Sequence, residues 1–132
     1  PLTIPSTASK VITIGAYNSR YYSYADFSGR GFTRLTNQIK PDLAAPGVNI
    51  MAPAANGGYQ SVTGTSFATP VATGASALLM EWGIVRGNDP FLYGEKVKAY
   101  LRRGAKKLPG ISEYPNPMVG YGALCVRDSL PE

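Results

Sequence analysis

Histidine is missing altogether from the 132 residues. No side chain here can shuttle a proton near neutral pH with an unperturbed pKa, so any chemistry that needs an imidazole must borrow it from elsewhere. Cysteine is nearly missing too, Cys125 being the only one. That excludes an internal disulfide, leaves a His/Cys zinc site without ligands and gives no reading of the redox compartment. Burial as a small hydrophobe is the ordinary role expected of Cys125. Charged residues are sparse, 16% against 44% hydrophobic, which is enough apolar material to offset chain entropy and excludes a disordered tail. Long apolar runs are absent as well. The most apolar segment, residues 75–80 with its flanks, falls far short of a bilayer span, so no membrane insertion is expected. Repeats and low-complexity segments are absent. The length fits one domain or a piece of a larger one, and an opening of Pro1-Leu2 in place of Met is what a fragment or processed product would show.

The net charge is +5. Lys96, Lys98, Arg102, Arg103, Lys106 and Lys107 hold nearly half of the 13 basic residues. They fall on one expected helix and its exit, where a solvated face with a cationic C-terminal end accounts for them. Nucleic-acid binding is not expected.

The order of elements predicts a mixed α/β fold. Residues 11–16 form a β-branched run and read as a buried strand. Residues 19–37 read as a long surface excursion. Its tyrosines, with Tyr17, Tyr21, Tyr22 and Tyr24 close together, suit either packing beneath a loop or contact with a partner. Residues 42–45 and 48–51 are further short strands. Asn56-Gly57-Gly58 is a hairpin turn with 59–62 as its return strand. A helix over 71–82 is apolar on nearly every face, as a helix through the middle of a domain would be. Ala72, Gly74, Ala75 and Ala77 would let it approach a sheet closely. A second helix over 93–103 is amphipathic through Val97, Tyr100 and Leu101, with Gly104 at its C-cap, and 118–124 reads as a last strand. So few strands barely supply neighbours for a helix buried on all sides. Missing partner elements on the N-terminal side, or a second copy of the chain, would be needed to cover it.

Ser66 is the residue most suited to chemistry. It lies between a glycine turn and an apolar helix, where free backbone N–H groups and the helix dipole favour negative charge. A nucleophile there would have its own amide available to an oxyanion. Pro70 cannot donate to the Ser66 carbonyl and crowds it, so the first turn should be distorted. The alternative is that Thr65 or Ser66 is simply the helix N-cap, the common use of such residues.

Gly64-Thr65-Ser66-Phe67-Ala68-Thr69-Pro70 resembles the nucleophile motif of the subtilisin-like serine proteases, the subtilases, at every fixed position. Lys40-Pro41-Asp42-Leu43-Ala44-Ala45-Pro46-Gly47 resembles the segment upstream of the family's serine. Ile4-Pro5-Ser6-Thr7-Ala8 with Val11-Ile12-Thr13-Ile14-Gly15-Ala16 resembles the loop and strand beside its substrate pocket. Phe27-Ser28-Gly29-Arg30-Gly31 and Tyr121-Gly122-Ala123-Leu124 resemble two more of its stretches, in the same order. The resemblance implies a serine endopeptidase that forms an acyl-enzyme on Ser66. It makes Ser66 the catalytic residue and an oxyanion-hole donor through its amide, with Pro5, Gly64 and Thr65 beside the substrate pocket and the Ile4–Pro5 bond cis. The partner implied is a protein or peptide substrate, with no cofactor.

In subtilases the Asp, the His and the oxyanion Asn precede the Ser, and none is identifiable here. The expectation is therefore that residues 1–132 are the C-terminal segment of one catalytic domain, inactive alone. The N-terminal part of that domain would be its partner, and uncovered sheet edges would favour self-association. Val71-Ala72-Thr73-Gly74 departs from the family's His-Val-Ala-Gly at a non-catalytic histidine. Residues 83–93 are more similar to a clostridial subgroup that includes the spore-germination proteases, which implies an extracellular or spore-associated protein rather than a cytoplasmic one. A subtilase-like binding or regulatory module without a working triad is the rival reading, and complementation by a nicked N-terminal fragment a third. Asp26, Asp42, Asp89 and Asp128 are not clustered in one loop, so no calcium or other metal site is expected.

Overall fold

A computed structural model describes residues 2–131. Its centre is a sheet of three short strands, β1 (Ile14–Asn18), β2 (Ser23–Tyr24) and β3 (Leu43–Pro46), in the order β2-β1-β3. β1 and β3 are parallel, with Ile14 opposite Leu43 and Tyr17 opposite Pro46, while β2 returns antiparallel to β1. β4 (Ile50–Pro53) and β5 (Tyr59–Val62) form a separate antiparallel hairpin across Gly57 and Gly58, both with positive φ. α1 (Thr65–Met80) packs on β1 and β3 and runs into a π-helical turn, Glu81–Val85. α2 (Gly94–Arg103) and the short α3 (Val126–Ser129) complete this mixed α/β chain.

Two clusters fix α1 to the sheet. Toward its C-terminus, Leu79 packs with Leu43, Leu92, Val97 and Leu101. Burying each of these side chains contributes about 1.5–3 kcal/mol. Toward its N-terminus, with Ile14, Val48 and Leu124 packed at the margin, the buried contact is made by alanines, Ala68 against Ala16, Ala25 and Ala45. Side chains this small let the head of the helix come close to the ends of β1 and β3.

Several elements differ from the sequence reading, each for a local reason. α1 buries one row only, Ala68, Ala72, Ala75 and Leu79, while Val71, Leu78 and Met80 are exposed. The β4 strand starts two residues late because Asn49 sits in the left-handed region (φ 53°), which Asn tolerates better than most residues. Residues 118–124 make isolated bridges, Ala123 to Ala44 and to Lys106, with Gly120 and Gly122 at positive φ. Gly104 takes the C-cap of α2 at an ordinary φ of −84°, and its missing side chain instead admits the Ser129 backbone. Tyr17 is buried and Tyr24 half-buried, whereas Tyr21 and Tyr22 are exposed. Cys125 is a half-buried free thiol at the head of α3, not a core residue.

The basic face of α2 is the largest departure. Lys98 and Arg102, one turn apart and so on one side of the helix, point inward. With Lys40 they surround Asp42, which is fully buried. Lys40 Nζ lies 2.8 Å and Lys98 Nζ 3.2 Å from the carboxylate, Arg102 donates to it, and the Thr13 amide donates at 2.7 Å. Arg102 also stacks over the Tyr121 ring at 4.6 Å. Burial alone would push the Asp42 carboxyl up, but the hydrogen bonds from Lys40, the Thr13 amide and Arg102 outweigh it and hold it below the usual carboxylate range. Burial holds the Lys98 ammonium below the usual lysine range despite its attraction to Asp42.

Candidate active site

Ser66 is the second residue of α1 and lies exposed at its head. The backbone reaches it through Gly64, at φ 154° and ψ 158°, a region open in practice to glycine alone. Gly64 is itself the N-cap, and no side chain among the described residues caps the helix. The alternative use of Thr65 or Ser66 as the capping residue is therefore not what the chain adopts. Among the described residues, neither the hydroxyl nor the amide of Ser66 has a hydrogen-bond partner. The amide is one of the N–H groups that a helix start leaves without an intrahelical acceptor. Pro70 lies inside α1 without breaking it, and its missing N–H withholds the ladder bond from the Ser66 carbonyl.

The turn is clamped to the sheet at Gly47, immediately after β3. The Gly64 amide donates to the Gly47 carbonyl at 2.8 Å, and the Gly47 amide to the Tyr17 carbonyl at 3.1 Å. A Cβ on Gly47 would stand 2.7 Å from the Ala16 Cβ, 3.0 Å from the Gly64 carbonyl oxygen and 3.3 Å from the Ala68 Cβ. The Pro46-Gly47 dipeptide thus does more than stop a strand: it lets the Ser66 turn rest on the carboxyl ends of β1 and β3, where open α/β sheets place their sites. Gly47→Ala is expected to destabilise by about 1–3 kcal/mol through overpacking against backbone, read as a lower urea midpoint.

Ser66 opens onto a cleft of about 740 Å³. Thr65 and Thr69 share its wall with Ser66, and Pro5 and residues 11–14 line it from the N-terminal segment. The Ile4–Pro5 bond is cis. Of the sequence-predicted residues, Pro5, Thr65 and Ser66 come together in this cleft, and Gly64 sits behind it as the helix cap. Sequence reasoning assigned no site role to Asp26, Phe27 and Arg30, which also line it. The Phe-Ser-Gly-Arg-Gly stretch was the available signal. Ser28 within it accepts the Ala16 amide at 2.9 Å and so ties that stretch to β1. Arg30 lies over the Tyr24 ring at 5.0 Å, and Asp26 makes no ion pair among the described residues.

A helix-borne serine with a free amide, facing a cleft at the carboxyl end of a parallel strand pair, is an arrangement that α/β serine hydrolases use for a nucleophile and its oxyanion donor. Comparison with known proteins narrows the class. The profile of the subtilase family matches residues 1–122, and the chain belongs to that family of serine proteases. It is 32% identical to the serine protease AprX of Bacillus subtilis over 96% of its own length and 31% of that protein. To the minor extracellular protease Vpr of the same organism it is 34% identical over 80% of the chain and 13% of the relative. Among solved structures, the CspB protease of Clostridium perfringens is similar at 48% identity and a TM-score of 0.91, covering 97% of this chain and 27% of that one. The prenylagaramide maturation protease PagA is similar at 30% identity and a TM-score of 0.78, covering 96% and 43%. The chain thus spans under half the length of each of these proteins. No helix among the described residues is long and apolar enough to cross a membrane.

Proposed function

We propose that this chain is the C-terminal part of the catalytic domain of a subtilisin-like serine endopeptidase. The observation that carries this reading is the state of Ser66, whose hydroxyl and amide have no partner among the described residues and lie at the head of α1, open to the cleft. The hydroxyl oxygen attacks the scissile carbonyl, and a general base takes its proton. The carbonyl oxygen becomes an oxyanion, to which the Ser66 amide donates. Collapse of this intermediate expels the amine, which leaves with the proton, and water then hydrolyses the acyl-enzyme. The 132 residues contain no histidine, so the base, its Asp partner and the Asn that shares the oxyanion hole come from residues upstream in the same polypeptide. The exposed side of α1 that carries Val71 and Leu78, seven residues apart and so on one face, is what those residues would cover. Left uncovered, it favours self-association of the isolated chain. The substrate is a protein or peptide held across the cleft at Pro5, Thr65 and residues 11–14. The similarity to an extracellular protease, with the resemblance of residues 83–93 to the spore-germination subgroup, favours an extracellular or spore-associated site of action.

A fluorophosphonate probe tests this on the full-length polypeptide. Covalent labelling at Ser66, lost in Ser66→Ala, is the expected result, while the 132-residue chain alone shows no measurable proteolysis. Absence of labelling in the folded full-length protein would overturn the reading in favour of a binding or regulatory module. So would substitution of the upstream Asp, His and Asn.

A further inference from the structure

Three cations on one buried carboxylate are more than the carboxylate needs. Lys40, Lys98 and Arg102 all contact Asp42, which leaves two positive charges in excess in a place where charge is expensive. The ammonium groups have other acceptors. Lys98 Nζ donates to the carbonyls of Ser9 at 2.7 Å and Val11 at 2.9 Å, and Lys40 Nζ donates to the same Val11 carbonyl at 2.7 Å. Both lysines thus reach past Asp42 to the N-terminal segment. Thr13 completes the tie. Its amide donates to Asp42, its carbonyl accepts from the Asp42 amide at 2.8 Å, and its hydroxyl donates to the Ser6 carbonyl at 2.5 Å. Residues 11–13 precede the β1 ladder, and the Val11 carbonyl and the Thr13 amide, which a neighbouring strand would otherwise hold, are held here by charged side chains. The segment they hold, residues 11–14, is a wall of the cleft onto which Ser66 opens.

We infer that Lys98 is a positioning residue for the substrate cleft, fixing the backbone of residues 9–13 from α2 so that the wall at 11–14 is preformed when a peptide binds. This rests on the endopeptidase reading above. Lys98 touches no reacting atom. Its side chain is 9% exposed and lies with Asp42, and neither residue lines the cleft. Asp42 keeps Lys40, Arg102 and the Thr13 amide when Lys98 is removed, so the carboxylate is not orphaned by the change. What is lost is the ammonium on Ser9 and the second one on Val11.

The test uses the full-length protein with Lys98→Met and Lys98→Arg. A wall that has lost its tie binds peptide less well but leaves the Ser66 turn, clamped independently at Gly47, unchanged. For Lys98→Met the expected result is a KM raised about tenfold, kcat within about twofold, and an unchanged labelling rate at Ser66 by a small fluorophosphonate that needs no wall. Lys98→Arg, which keeps a cationic donor, recovers most of the KM. Hydrogen exchange supplies the second readout, with faster exchange at the amides of residues 11–14 and none at 64–68. An unchanged KM overturns the inference, as does a parallel fall of kcat, labelling rate and melting temperature, the pattern of a merely structural residue. If Lys98→Met fails to fold, Lys98→Gln is measured in its place against the same outcomes. Failure of Ser66 to label in the unmodified protein sinks the endopeptidase reading itself. Normal labelling with an unchanged KM in the variant sinks the positioning role alone.

Discussion

Ser66→Ala in the full-length polypeptide is expected to lower peptide hydrolysis by about 10⁴- to 10⁶-fold, the range found when single members of such a catalytic unit are removed from subtilisin. The loss falls on kcat, because the hydroxyl is the bond-forming atom and little of it is used in ground-state binding. Stability should hardly change. The hydroxyl caps nothing and has no protein partner among the described residues, so its removal strands no donor or acceptor. Alanine is also the better residue for a helix. A Tm within a degree or two of the parent, measured together with the lost turnover, is the signature of a residue kept for chemistry. A large drop in Tm would mean that Ser66 is needed for folding after all.

Asp42→Ala should do the opposite, costing about 3–5 kcal/mol of stability. The reason is not the loss of favourable pairs as such, since buried pairs often do little more than offset their own desolvation. It is that Lys40, Lys98 and Arg102 would remain, three cations without their counter-charge, beside a Thr13 amide without its acceptor. Urea unfolding of the parent and the variant at pH 7 measures this directly. Acid should reproduce it in the parent. The carboxyl of Asp42 is held below the usual carboxylate range in the folded chain, so its contribution is fully present above the unfolded value of about 3.9. That contribution fades as pH falls through the lower folded value. The Asp42→Ala variant should lack this component, giving a flatter dependence of stability on pH below 4. If the two slopes coincide, the cluster is not what sets acid stability.

These residues also show where local sequence ceases to inform. The strand at 59–62, the helix ending at Arg103 and the helix head at Ser66 were all legible, because each is written in adjacent residues: an Asn-Gly-Gly turn, an amphipathic repeat, a glycine before a serine. The β-branched run at 11–16 reads as one strand, yet β1 begins only at Ile14. The Val11 carbonyl and the Thr13 amide are taken by Lys40, Lys98 and Asp42, and nothing near Val11 announces that. The same long reach turned an expected solvated face of α2 inward. A lysine one turn from an arginine reads as surface until a buried carboxylate from another element is known to face them. The short return strand β2 was hidden for a similar reason, its pairing resting on a turn through Tyr22 in the left-handed region, a conformation unusual for an aromatic residue.

The alanine floor beneath the helix head has a bearing on how such a chain can diverge. Ala16, Ala45 and Ala68 meet one another, with Gly47 wedged between Ala16, Ala68 and the Gly64 carbonyl. A leucine in the opposite cluster can become methionine or isoleucine at modest cost. At the three alanines every substitution except glycine adds volume, and at Gly47 even alanine does. Drift there is confined to the two smallest amino acids. The head of α1 should therefore look almost frozen across divergent descendants of this chain, even where the larger hydrophobic cluster has been rewritten.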